Sequence, residues 1–414
     1  MSDQTPRGSG SSPVAGIARH GRLQKASPVS RVFQIIGIVV AVVVVASGSV
    51  AGVAAYQLLH QVTKSAVTIN PGQSIAPPPG IGAYPGGFNI LLVGDDTREG
   101  QGGIGAGADD GGALNDVTML LHVSGDHTFA TAVSFPRDMV IPHPQCSKGG
   151  TAVGLPVNTA LSYGGLSCVV TVISAFTGLP IQFAGLITFD GVIEMSNAIG
   201  GVSVCVSGNI NDKEVGLHLK AGEHTLRGYT ALKFLRSRHG VGDGSDLGRI
   251  SSQQVYLSSM VRKLESAGTL SNPGTVFQIA TAASRHMELS TSLAQPVTMV
   301  AIAQALKGIP VDRVQFVQYP GSTGGTGIFL GKVQPNMALG NQLFSLIRAD
   351  QPFKLGAQGA NRGSVPNPHA TKAPTSTAPP TTTGGKKETV INGLIGQSAA
   401  QQTCSKANAF NGEG

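Results

Sequence analysis

Residues 117–135 read VTMLLHVSGDHTFATAVSF. Two apolar runs rich in β-branched residues, VTMLLHV and TFATAVSF, flank the polar turn SGDH, as two strands joined by a short connection do. Upstream, FNILLVG (88–94) is a short apolar run that stops at a glycine, the mark of a buried strand. Downstream, IQFAGLI (181–187), GVSVCV (201–206) and RVQFVQY (313–319) read as further strands. Helical stretches alternate with them: 158–178 closed by Gly178, 189–198, 228–238, 251–268, 273–284 and 292–307. In the fourth, Val255, Leu257, Met260, Val261 and Leu264 recur at helical spacing and Gly268 is the stop signal. Strands alternating with helices predict a three-layer α/β/α sandwich around a central mixed sheet, in one compact region over residues 88–350.

The flanks have a different character. Val32–Leu59 contains no charged residue, and a membrane span needs roughly 20 apolar residues, so a transmembrane helix is expected over 32–59. The polar stretch before it speaks against a cleaved signal. Arg7, Arg19, Arg22, Lys25 and Arg31 face only Asp3 in residues 1–31, a net of +4, which assigns that tail to the cytoplasm and the rest to the outside. The expected location is thus the cell membrane, single-pass type II, with the compact region on the extracytoplasmic face. That tail takes +4 of the chain's +7, and anionic membrane lipid explains it better than nucleic acid, which is not expected as a partner. Residues 60–87 read as a Pro/Gly-rich stalk, 351–387 as a low-complexity Pro/Thr linker and 388–414 as a short tail.

Aromatic residues make up 5% of the chain and Trp is absent, which excludes an aromatic-rich binding module. Cys146, Cys168, Cys205 and Cys404 all follow the apolar span, and an even count in an oxidising compartment suggests two disulfides. Four cysteines allow three pairings. Cys146–Cys168 with Cys205–Cys404 is preferred, because the first pair flanks one short connection.

Charge gathers at the ends of the expected elements. GDDTR supplies Asp95, Asp96 and Arg98; LNDV supplies Asp116; SFPRD supplies Arg137 and Asp138. LRSR gives Arg236 and Arg238, and DLGRISSQQ gives Asp246, Arg249, Gln253 and Gln254. Ligands of open α/β sheets bind outside strand ends, where such residues collect. Arg236 and Arg238 are two apart, so both point one way only if the chain has left the helix there. Guanidinium forks grip phosphate oxygens. Carboxylates such as Asp96 and Asp116 suit Mg²⁺, which takes one or two protein carboxylates beside water and phosphate. Any one Arg–Asp pair taken alone reads as a structural salt bridge, and Asp109 and Asp110, in a Gly-rich loop, as solvated. The ten histidines form no metal spacing, and neither a serine-hydrolase elbow nor a Walker loop occurs.

The segments NILLVGDDTR, NDVTMLLHV, SFPRDMVIP, VNTALSYGG, FDGVIEMSNAIGGV and LKAGEHTLRGYTALKFLRSRHGVGDGSDLGRISSQQ follow one another as in the LytR-CpsA-Psr family, which the chain resembles over about 88–265. The cysteines and HGVGDGSDLGR look most like its actinobacterial, mycobacteria-like branch. The resemblance implies a Mg²⁺-dependent phosphotransferase, with Mn²⁺ as the alternative ion. Its partners would be a glycopolymer on a polyprenyl-pyrophosphate carrier, peptidoglycan as acceptor, and membrane lipid. The polymer implied is arabinogalactan or its galactan precursor, and the acceptor the 6-hydroxyl of N-acetylmuramic acid. By the same resemblance Asp96 and Asp116 are the metal-associated carboxylates, Arg137, Arg236 and Arg238 the pyrophosphate clamp, and Gln253 a polar contact. Arg98, Asp138, Asp246 and Arg249 hold motif positions with substrate-contact or support roles. Leu114 and Ser252 stand where many relatives carry arginine. A lipid-pyrophosphate hydrolase would use the same residues, and a non-catalytic glycopolymer-binding or regulatory protein is the reading from another class.

Overall fold

The computed structural model describes residues 66–69, 82–95, 114–146, 150–266, 273–356, 363–370 and 388–409. The span expected over 32–59 lies outside them, and among the described residues no helix is long and apolar enough to cross a membrane.

The strands of the two principal sheets are β1 (Phe88–Asp95), β2 (Asn115–Val123), β3 (Ala130–Phe135), β4 (Phe183–Ile187), β5 (Val202–Val206), β6 (Gly222–Leu226), β7 (Met287–Leu289), β8 (Val314–Gln318), β9 (Ser364–Pro366), β10 (Ile395–Ser398) and β11 (Thr403–Ser405). The helices are α1 (Gly165–Thr177), α2 (Phe189–Ala198), α3 (Gly228–Arg236), α4 (Asp246–Glu265), α5 (Pro273–His286), α6 (Pro296–Lys307) and α7 (Met337–Arg348). The central sheet has seven strands in the order β7-β4-β1-β2-β3-β8-β10. The β1–β4 and β3–β8 pairs are parallel; the other four are antiparallel. The sheet is therefore mixed, as expected.

Alternation along the strands sends side chains to two cores. Leu91, Val93, Leu120, Val133 and Phe135 pack on one face with Val169, Val172 and Ile173 of α1 and Leu343, Phe344 and Ile347 of α7. Phe88, Ile90 and Phe183 pack on the other face with Ile302 and Ala305 of α6. Met119, Ala132 and Phe316 also lie on that face and meet Leu257 and Val261 of α4. Helices thus cover both faces.

Three local departures from the sequence reading have physical causes. The helix expected over 158–178 splits into a 3-10 turn, Val157–Tyr163, and α1, because Gly165 takes a left-handed φ of 65°. α1 then ends at Gly178, as read. Helix α4 starts five residues before Ser251, because Ser245 caps it: its hydroxyl accepts from the Gly248 amide at 3.2 Å. The described parts of 60–87 lie against the sheet region. The Val67 amide donates to the Leu289 carbonyl (2.9 Å), Ile69 is buried, and Tyr84 meets Phe88 and Phe183 edge-on.

The C-terminal residues enter both sheets. β10 is the outermost strand of the central sheet beside β8. β11 lies between β5 and β9 in the second sheet, order β6-β5-β11-β9. Cys146 is bonded to Cys168 and Cys205 to Cys404, the second bridge joining β5 to β11 at directly paired residues.

Candidate active site

Four elements end at one place. β2 begins at Asn115 and Asp116, the chain leaves β3 through Pro136, Arg137 and Asp138, α3 stops at Arg236, and α4 starts at Asp246. A register shift at Gly94/Asp95, opposite Asn115, bends the β1–β2 pair at its end and re-aims the side chains there.

Asp116 is the hub. One carboxylate oxygen accepts from Nη1 of Arg137, and the other lies 3.8 Å from Nη1 of Arg249. Nη2 of Arg249 donates to the Asp116 carbonyl at 2.9 Å and pairs with Asp246 at 2.6 Å. Asp246 also accepts from the Arg137 amide (3.1 Å), which fixes the turn after β3 against the start of α4. Arg249 and Asp246 are almost fully enclosed, their side chains 4% and 5% exposed. Nε of Arg137 lies 3.6 Å from Asp138, which also meets Lys332 at 3.3 Å. Burial alone would raise the Asp116 carboxyl, but the guanidinium groups of Arg249, Arg137 and Arg236 outweigh it and hold the carboxyl below its ordinary value. Burial would likewise depress the Arg137 guanidinium, and Asp116, Asp246 and Asp138 outweigh it and raise it. Among the described residues the buried Nε atoms of Arg137 and Arg249 have no hydrogen-bond acceptor. Both atoms are enclosed, and that of Arg137 faces the carboxylates of Asp138 and Asp246 at 3.6 and 4.0 Å.

Beside this cluster runs an apolar cavity of about 320 Å³. Its floor is the sheet (Leu92, Val117, Met119, Ile187), its walls come from α2 (Val192, Met195) and α4 (Tyr256, Leu257, Met260), and its polar end is Asp95, Asp116, Arg236, Arg249 and Gln253. Of the helically spaced apolar residues of α4, Leu257 and Met260 line this cavity, while Val255 and Val261 pack in the core. The Arg236 guanidinium lies over Phe189, 4.3 Å from the ring centre, a cation–π contact. Gln253 donates from Nε2 to the carbonyl of Leu235, the residue before Arg236 (2.8 Å), so it braces the end of α3.

Arg238 lies beyond α3 and, unlike Arg236, is not among the residues that line the cavity. Its Nε donates to the Gly244 carbonyl at 3.1 Å and its amide to Asp212 at 3.1 Å, so it is fixed through its own loop rather than through Asp116. Asp212, Phe189 and Lys332 are site-organising residues that sequence reasoning missed. Asp96 and Arg98 lie outside the described residues.

A family model described as the LytR_cpsA_psr family matches residues 42–342. The chain belongs to that family. Among curated proteins, this LytR_cpsA_psr chain is 29% identical over 276 residues to the cell wall biosynthesis protein LcpA of Corynebacterium glutamicum, covering 59% of this chain and 52% of that one. It is 31% identical over 198 residues to the probable cell wall biosynthesis protein LcpB of the same organism, covering 46% and 45%. It is 28% identical over 205 residues to the polyisoprenyl-teichoic acid–peptidoglycan teichoic acid transferase TagU of Enterococcus faecalis, covering 50% and 62%. The chain spans about half the length of the curated relatives it matches. Among solved structures, Bacillus subtilis TagV superposes with a TM-score of 0.51 at 22% identity over 64% of this chain and 98% of that one, which carries the fold.

Proposed function

We propose that the protein transfers a cell-wall glycopolymer from a polyprenyl-pyrophosphate carrier to peptidoglycan, making a phosphodiester and releasing polyprenyl phosphate. The observation that supports this most is the cavity, apolar along its length and closed at one end by Asp116, Arg236 and Arg249. An isoprenoid chain is excluded from water as other hydrocarbon is, and a pyrophosphate needs several fixed cations. Family membership and the names of the curated relatives point the same way.

In this reading the lipid tail lies against Met119, Met195, Leu257 and Met260, and the diphosphate meets Arg236 and Arg249 at the polar end. Arg137, held by Asp116, and Arg238, on the loop that follows α3, complete the clamp. An acceptor hydroxyl attacks the phosphorus that carries the sugar. The new P–O bond forms as the bond to the lipid phosphate breaks, and the acceptor's proton ends on the released phosphate or on water. Charge moves toward the leaving phosphate, and arginines already fixed by Asp116 and Asp246 stabilise it without reorganising. Asp116 is kept ionised by its arginines, which suits it to holding cations rather than to accepting the proton. Its hard oxygens at the polar end fit one carboxylate of a Mg²⁺ site, with Asp96, one residue past cavity-lining Asp95, as the second. Bound there, the ion would neutralise phosphate charge. The proposal keeps residues 32–59 as a type II membrane anchor, which places the enzyme where such a donor resides, and arabinogalactan or its galactan precursor as the polymer.

The test is to incubate the purified chain with a short polyprenyl-pyrophosphate oligosaccharide, Mg²⁺ and peptidoglycan fragments, beside Arg137→Ala. Mass spectrometry is expected to find sugar joined to peptidoglycan through a phosphodiester, with about 10²–10³-fold less in the variant, the usual cost of one preorganised charge-stabilising donor. Free sugar phosphate without adduct would make the chain a hydrolase, and an untouched donor would make it a binding protein.

A further inference from the structure

The loop after α3, Ser237–Ser245, carries Arg238 and contains Gly240, Gly242 and Gly244. Gly242 and Gly244 take left-handed φ values of 60° and 76°, so the loop has little conformational preference of its own. Something else must hold it, and it is held from two sides.

On one side is Asp212. Its Oδ2 accepts from the Ser237 hydroxyl (2.7 Å), the Arg238 amide (3.1 Å) and the Gly240 amide (3.0 Å). Burial would raise this carboxyl, but those donors outweigh it and hold it below its ordinary value. On the other side are residues 406–408. The Gly242 amide donates to the Lys406 carbonyl (2.8 Å), Val241 bridges Ala407, and the Asn408 amide donates to the Gly240 carbonyl (3.0 Å). The side-chain Nδ2 of Asn408, a residue 7% exposed, donates to the His239 carbonyl at 2.9 Å. Just upstream, Ser405 shares a 2.7 Å hydroxyl–hydroxyl bond with Ser252, one residue before Gln253, and Cys404 is covalently fixed to Cys205.

We propose that residues 403–408 are a positioning strap for the arginine loop, with Asn408 as the positioning residue that sets Arg238 for the pyrophosphate. The inference rests on the donor class proposed above. Asn408 is 169 residues from His239 in sequence and touches the loop through backbone carbonyls, so it acts through Arg238 and not on the substrate. Ser252 belongs to the same device: a buried serine there leaves room for β11 to cross, where an arginine would push the strap away.

The experiment titrates the full chain and Asn408→Asp with geranylgeranyl pyrophosphate and, separately, geranylgeranyl monophosphate, with Tm recorded for each. Aspartate keeps the size and the backbone bond but removes the donor to His239. The expected result is about a tenfold loss of pyrophosphate affinity, the size of one lost buried hydrogen bond, with monophosphate binding nearly unchanged and Tm modestly lowered, as the unpaired His239 carbonyl requires. Equal weakening of both ligands, or no weakening, would overturn the strap as a positioning device. Should the wild-type chain bind neither lipid, the donor reading fails. The strap is then judged by hydrogen exchange at amides 239–245, which must speed up in Asn408→Asp or the inference falls. If Asn408→Asp does not fold, Ser405→Ala replaces it in the same titrations, and selective loss of pyrophosphate affinity again supports the strap while equal or absent weakening overturns it.

Discussion

Asp246 and Arg249 stand three residues apart on α4, both nearly enclosed, and each is worth more to the other than to solvent. Removing Asp246 takes from the enclosed Arg249 its 2.6 Å partner and leaves it only Asp116, a loss near the lower end of the range of about 3–5 kcal/mol for breaking a buried pair. Asp246→Ala is therefore expected to lose about that much in urea unfolding at neutral pH. Asp116 makes a pH prediction. Its folded-state carboxyl lies below the unfolded value, so its contribution is complete above the ordinary aspartate range of about 3.9 and is lost as pH falls through the lower folded value. Stability should therefore decline below about pH 4, and Asp116→Asn should flatten that decline in a series of thermal melts. Asp116, Arg137, Asp246 and Arg249 were legible in sequence because charge at an element's end is out of place in a core. Phe189, Asp212, Lys332 and Asn408 were not. An aromatic at a helix start, or an Asn near a C-terminus, is locally ordinary, and its meaning lies in partners brought up only by the fold.

At the scale of elements, α4 does two things at once. Its first turns hold the charged cluster, while Tyr256, Leu257 and Met260 line the cavity. Met260→Lys puts an ammonium among apolar side chains and is expected to raise KM at least tenfold for a long polyprenyl donor, with much less effect on one carrying a ten-carbon chain. Equal effects on both would place the lipid elsewhere. Gly363 lies where the returning chain crosses the start of α4, and a Cβ there would sit 2.0 Å from the Gly248 carbonyl oxygen. Gly363→Ala should cost about 1–3 kcal/mol through overpacking, read as a lowered Tm. The stretches 189–198 and 228–238 foretold α2 and α3, helical periodicity foretold most of α4, and the apolar runs foretold β1 to β5. β7, β10 and β11 are three or four residues long, too short to show a period, and gain their pairing only from neighbours already in place.

For the whole molecule, the two disulfides differ in what they restrain. Cys146–Cys168 closes 22 residues and Cys205–Cys404 closes 199. By chain entropy the first is worth about 3 kcal/mol and the second about 5 kcal/mol, so Cys205→Ser/Cys404→Ser should unfold at lower urea than Cys146→Ser/Cys168→Ser. The mixed sheet was readable because its inner strands are long apolar runs; its outermost member, beyond a low-complexity stretch, was not. That outermost member carries a consequence in time. A ribosome adds β10 and β11 after β8, so until they arrive β8 has one open flank and the arginine loop lacks its bonds to residues 406–408. The loop is not held on both sides until residues 406–408 are in place. A chain cut between Ser405 and Asn408 would carry every strand of both sheets yet lack that second hold on the arginine loop.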